Sequence, residues 1–237
     1  MRVALAFLTR LPMATTLDDR ALAVAAPWFP VVGLLVGALM GGVHALAGLA
    51  LEPSAATLVA VLAAVLITGG LHEDGLADVA DAAGAHVSRE RKLEILRDSR
   101  VGTFGALAVV FAIAFPLVVL APLDDRRFLE AAIAAHALGR WSSLPVSRLR
   151  PARSDGTGAL LRATKVQLLA GTIVALAIVV AALGPEDATA TVGAASVTVA
   201  LGARMALRVF GGVTGDVYGA INKVVELTTY AVVAGQG

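Results

Sequence analysis

The sequence predicts an all-α, polytopic membrane bundle of about six or seven spanning helices. Three observations lead there. Hydrophobic residues make up 58% of the chain and charged residues only 16%, outside the range of soluble domains. Apolar windows of about 20 residues, the length a helix needs to cross a bilayer, recur along the whole sequence. Basic residues gather on alternate connections between those windows, as they do in membrane proteins of fixed orientation. A soluble bundle needs a polar outer face, and windows so poor in charge supply none.

Lys and Arg total 19 against 18 for Asp and Glu, a net charge of +1. Such a chain has no global field to attract nucleic acid, so its partners are expected among small molecules and the lipid bilayer. There is no cysteine, which excludes disulfides, thiolate metal sites and a Cys nucleophile.

The elements follow in order. The apolar run 3–8 is too short for a secretory signal and is broken by Arg10 and Pro12, so the N-terminus is expected to be retained. The first span, 28–50, carries Gly33, Gly37 and Gly41 at four-residue spacing, a small-residue stripe read as helix packing. His44 in the same span is expected to be a hydrogen-bonded packing residue. Spans 54–71, 103–122, 128–147, 166–184 and 191–210 follow, with a short seventh at 224–236 that barely crosses or lies at the interface. With no fixed-period repeat and no low-complexity linker, residues 1–237 form one transmembrane domain; a homo-oligomer is compatible with it.

Alternating the spans puts the N-terminus and 72–102, 148–165 and 211–223 on one side, together with almost every Arg and Lys. Only Arg126 and Arg127 fall on the other side, near Glu52, Glu186 and Asp187. The positive-inside rule makes the first side cytoplasmic.

The chemistry concentrates after the second span, in Gly69-Gly70-Leu71-His72-Glu73-Asp74-Gly75-Leu76-Ala77-Asp78-Val79-Ala80-Asp81. If this run is helical, Asp74, Asp78 and Asp81 stand at i, i+4 and i+7 on one face. Carboxylates so placed repel unless a cation sits among them, and oxygen ligands suit Mg²⁺; the plain alternative is a solvated amphipathic turn. Arg89, Arg91 and Lys92 follow, then Arg97-Asp98-Ser99-Arg100-Val101-Gly102-Thr103. A helix beginning near Ser99 or Thr103 offers free N–H groups beside the guanidinium forks of Arg97 and Arg100, a phosphate-binding arrangement. Alternatively these are juxtamembrane cations that serve topology and lipid contact. Acids and cations together at one membrane face fit metal-assisted transfer between phosphorylated substrates. His136 and Arg140 lie within the fourth span, where Arg140 either serves a site or snorkels to the head groups. Gly211-Gly212-Val213-Thr214-Gly215-Asp216 leads to Gly219, Asn222 and Glu226; Asp216 faces the side of the first acids, and Glu226 is costly inside an apolar span unless paired.

These blocks, with Phe7-Leu8-Thr9-Arg10-Leu11-Pro12, Leu93-Glu94-Ile95-Leu96 before Arg97, and Gly105, resemble the cobalamin synthase family, the adenosylcobinamide-GDP ribazoletransferases. The resemblance runs in order over nearly the full chain; Glu73 stands where an apolar residue is expected and Ala82 where a glycine is. It implies a polytopic membrane enzyme in which a hydroxyl of α-ribazole, or its 5′-phosphate, attacks the corrinoid-linked phosphate of adenosylcobinamide-GDP and GMP leaves, with Mg²⁺ required. On that basis Asp74, Asp78 and Asp81 hold the metal, and Asp81, with Asp78, serves as the catalytic carboxylate that accepts the hydroxyl proton. Arg10, Arg97 and Arg100 hold phosphates, and Asp98, Asp216 and Glu226 join them on the substrate-binding side. A CDP-alcohol phosphatidyltransferase-like enzyme is disfavoured because its Asp-Gly-x-x-Ala-Arg signature is absent, and a cation or vitamin transporter because the acids lie at one face rather than mid-membrane.

Overall fold

Polar caps decide where several helices begin. The computed structural model describes residues 1–13, 15, 18–153 and 161–236, so 154–160 of the expected 148–165 loop lie outside the described residues. Within them the regular elements are helical: α1 (Arg2–Leu8), α2 (Asp19–Ala25), α3 (Phe29–Gly48), α4 (Pro53–Thr68), α5 (Leu71–Gly84), α6 (Arg89–Ile95), α7 (Thr103–Val119), α8 (Asp125–Val146), α9 (Lys165–Val209) and α10 (Gly215–Gly235). The side chains of Asp18, Ser88, Asp124, Thr164 and Thr214 each accept a backbone N–H from the first turn of the helix that follows. Thr164 and Gln167 do so reciprocally.

Helix α8 is the hub, packed against α3, α9 and α10. Its run of small residues, with Ala131, Ala132, Ala134, Ala135 and Ala137 all at 0% exposure, lets those neighbours come close. The glycine stripe of α3 meets it as expected: a Cβ on Gly37 would lie 2.5 Å from the Ala132 carbonyl oxygen, and one on Gly33 would overlap the His136 carbonyl. His44 packs as expected but without hydrogen bonds; its ring stacks on Phe128 at 3.7 Å, with Nδ1 3.3 Å from the Asp125 carboxylate.

The windows 166–184 and 191–210 belong to a single element, α9, whose 45 residues would reach about 67 Å if straight. It is broken at Gly184, where φ is 77°, and its two arms fold back on each other. Thr172 in the first arm accepts a hydrogen bond from Trp141 near the end of α8, and Gly202 in the second lies against Ile221 near the start of α10. Between them Asp187 meets Arg127, at the opposite end of α8, at 2.7 Å.

By length and composition two described stretches, Arg20–Gly48 and Lys165–Val209, are apolar enough to cross a membrane, and α4 with α5 makes a third if the bent pair is one span. Helices α8 and α10 carry polar side chains inside the bundle, which lowers their apparent hydropathy. The expected seventh span of 13 residues is part of a longer helix: α10 starts at Gly215 and runs 21 residues, about 31 Å.

Candidate active site

The chain turns by 90° between α4 and α5. Gly69 and Gly70 make the corner in the left-handed region, at φ 68° and 70°, where a side chain is strained. The segment after α1 docks on this corner: Arg10 N–H donates to the Ile67 carbonyl at 2.8 Å, and the Arg10 side chain crosses Gly69 so closely that a Cβ there would collide with it. The acid run is therefore helical, as its spacing predicts, and lies across the end of α4.

Helix α5 then crosses α10 almost backbone to backbone. A Cβ on Gly75 would lie 2.7 Å from the Asp216 carbonyl oxygen, and one on Gly219 would lie 3.1 Å from that of Leu71. This contact brings Asp216 to the face that carries Asp74 and Asp78. The Asp78 carboxyl is pushed up to about 7, first by burial and then by the negative charges of Asp74, Asp216 and Asp81. Asp216, half-buried, accepts a hydrogen bond from the Thr214 hydroxyl at 3.2 Å. Among the described residues no three His, Asp or Glu side chains already stand at metal-holding distances.

Asp81 corrects the expectation attached to it. Its carboxylate accepts the Gly102 N–H at 2.7 Å and the Gly105 N–H at 2.8 Å, one on each oxygen, and so caps the start of α7. Both of its oxygens are thus engaged by backbone N–H groups, where the resemblance implied a carboxylate free to accept a proton. Two of the N–H groups at that helix start, expected to be open to phosphate, are taken by it. Gly102 and Gly105 permit the approach, because a Cβ on either would run into that carboxylate.

The expected phosphate-binding cations separate. Arg100 is exposed and forms a two-pronged pair with Asp98, at 3.0 and 2.6 Å, and this hydrogen bonding holds the Asp98 carboxyl down at about 2. Asp98, expected on the substrate-binding side, partners Arg100 here. Arg97 is exposed on the same loop. Lys92 caps the end of α5, donating to the carbonyls of Ala82, Ala83 and Ala85. Only Arg10 lies with the acids: with Glu73, Asp74, Gly69 and Gly70 it lines an open groove of about 630 Å³.

Glu226, expected on the substrate side, is fully buried at 0% exposure and bound by Arg140 and Lys223, with His136 Nδ1 2.9 Å away. Arg140 is 1% exposed and does not snorkel. Lys223 also pairs with Glu73 at 2.7 Å, which explains the acid at a position where an apolar residue was expected. Two positive and two negative groups from α5, α8 and α10 thus cancel inside the bundle. Sequence reading missed Lys223, although its i, i+3 spacing from Glu226 was a usable signal. It also passed over His72 and Tyr218, which with Asp74 and Asp216 line a second cavity, of about 120 Å³.

Acids from two helices, set at the end of an apolar helical bundle beside an arginine-bearing groove, define an integral membrane enzyme. The chain belongs to the family described as CobS, cobalamin-5-phosphate synthase, which matches residues 1–234. A Bradyrhizobium diazoefficiens protein named adenosylcobinamide-GDP ribazoletransferase is 38% identical over 99% of this chain and 92% of its own length. Relatives with the same name from Mesorhizobium japonicum and a Roseiflexus species are 41% and 37% identical, over 97% and 96% of this chain and 90% and 86% of theirs. No solved structure matches the chain.

Proposed function

We propose that this protein joins α-ribazole, or its 5′-phosphate, to adenosylcobinamide-GDP with release of GMP, at the cytoplasmic face of the cell membrane. The observation that carries the reading is the convergence of Asp74 and Asp78 of α5 with Asp216 of α10 beside the Arg10 groove, in a chain whose relatives bear that activity in their names. Burial first, and then the charges of Asp74, Asp216 and Asp81, oppose ionisation of Asp78, and carboxylates drawn together in this way fit a hard divalent ion such as Mg²⁺. Asp74, Asp78 and Asp216 would hold it, and Asp81 is reassigned from ligand to positioning group. When bound, such an ion offsets charge on a reacting diphosphate and on the departing monophosphate. Arg10 supplies a planar fork for phosphate oxygens in the groove. Asp81 ties α5 to the start of α7, and the Glu73–Lys223 pair ties it to α10, so the acid face keeps its orientation.

In this reading seven segments cross the membrane: α3, α4, α7, α8, the two arms of α9, and α10. They put α5, α6 and the connection before α10 on the side that holds most of the Arg and Lys residues. Purified protein in detergent, given both substrates and Mg²⁺, is expected to release GMP in step with the joined product. Release of GMP without acceptor consumption, or none at all, would overturn the assignment.

A further inference from the structure

Two recesses open on either side of Asp74, and the reaction as outlined uses only the larger. The smaller, about 120 Å³, has apolar walls that include Phe7, Leu71 and Leu161, and polar groups from His72, Ser143 and Tyr218, with Asp74 and Asp216 at its edge. One of its polar groups is unsatisfied. His72 is 3% exposed, and its imidazole carries two ring nitrogens able to hydrogen-bond a ligand. The Tyr218 hydroxyl is buried without a partner. A buried polar atom left unpaired is costly, and the Tyr218 hydroxyl facing this recess beside the His72 ring points to a ligand that supplies its hydrogen bond.

The lining selects the class of ligand. An apolar cavity of about 150 Å³ admits a benzene ring, so this one has the scale of a planar aromatic group. A diphosphate would meet Asp74 and Asp216 here, whereas the groove offers it Arg10. An apolar aromatic heterocycle carrying a hydroxylated sugar satisfies every wall: ring against Phe7 and the leucines, polar atoms to His72 and Tyr218, sugar towards the carboxylates.

We propose that this recess binds the aromatic base of the acceptor nucleoside, while the GDP-linked substrate occupies the Arg10 groove, with Asp74 as the shared boundary where the acceptor hydroxyl meets the phosphate. The inference rests on the transferase reading and deepens it. Two variants test it in initial-rate kinetics with each substrate varied in turn. Tyr218→Phe, which keeps the shape and removes one hydroxyl, should raise KM for α-ribazole about tenfold, and Leu161→Trp, which fills the recess, should raise it further. Both should leave KM for adenosylcobinamide-GDP within about twofold. A rise in the GDP-substrate KM instead, or no change in either, overturns the assignment. Calorimetry with free benzimidazole provides a readout that does not depend on turnover. Binding to the unaltered protein and its loss in Leu161→Trp support the recess even if no GMP is released; no binding to the unaltered protein refutes it.

Discussion

Asp78→Asn keeps the shape of the side chain and removes the charge that its neighbours oppose. In the folded protein the Asp78 carboxyl rises from 3.8 to about 7, roughly three units, which at 1.36 kcal/mol each would be about 4 kcal/mol without screening. Asp78 is only half-buried, so solvent reduces this to about 1–2 kcal/mol. The folded state holds a proton that the unfolded chain releases, so wild-type stability is full below pH ~4 and is lost as pH rises towards ~7. Asparagine does not ionise and escapes that loss. Thermal unfolding in detergent with EDTA should therefore show the variant equal to wild type near pH 4 and about 3–6 °C higher in Tm at pH 8. Added Mg²⁺ should raise wild-type Tm and close the gap, because a cation among the carboxylates removes the repulsion that the substitution removes, while transfer activity of the variant falls by orders of magnitude. A variant no more stable at pH 8, or one whose Tm gains as much from Mg²⁺ as wild type does, refutes the idea that uncompensated carboxylates form a cation site.

Asp81→Ala should cost about 1–2 kcal/mol by uncapping α7 and should speed hydrogen exchange at the Gly102 and Gly105 amides; exchange at the wild-type rate would remove the capping role. Arg10→Lys should lower kcat/KM about ten- to a hundredfold, whereas Arg100→Lys, whose fork already engages Asp98, should stay within a few-fold, and equal losses would restore Arg100 to the phosphate site. Glu226→Gln should destabilise by about 3–5 kcal/mol by leaving Arg140 and Lys223 short of negative charge, and adding Arg140→Met should recover part of it; strictly additive losses would mean that the charges do not interact. In this cysteine-free chain, Arg89→Cys should be labelled only from the cytoplasm and Glu186→Cys only from outside, and the reverse pattern would invert the topology.

Much of the helical architecture was legible because long apolar windows admit few alternatives, and the acid face of α5 was legible because three Asp residues keep helical spacing. What a face looks towards is not written in its spacing. The same i+7 step that aligns Asp81 with Asp74 carries it to the start of α7, where two backbone amides take both of its oxygens. Hydropathy likewise gave two spans with a loop at 185–190, but the real break is one left-handed glycine, Gly184. Arg140 could be read as snorkelling only while its partner was unknown; Glu226 lies 86 residues further along and meets it only after α10 packs on α8. Asp216 was placed on the right side from topology alone, but its approach to Asp78 depends on the Gly75–Gly219 crossing, which only the folded chain displays.

The cancelling charges inside the bundle also impose an order on how the protein is made. The ribosome delivers α8, with His136 and Arg140, long before α10 brings Glu226 and Lys223. Throughout that interval the Arg140 guanidinium is without Glu226, with Glu73 of α5 the carboxylate of the cluster already made, and a charge in a helix bound for the lipid costs roughly 2.5–3.5 kcal/mol to insert. The nascent chain thus waits half-assembled for its final segment, which works as a clasp rather than a tail. A chain cut short before Glu226 would leave Arg140 without its principal partner, whereas α10 supplied as a separate peptide carries Glu226 and Lys223 together.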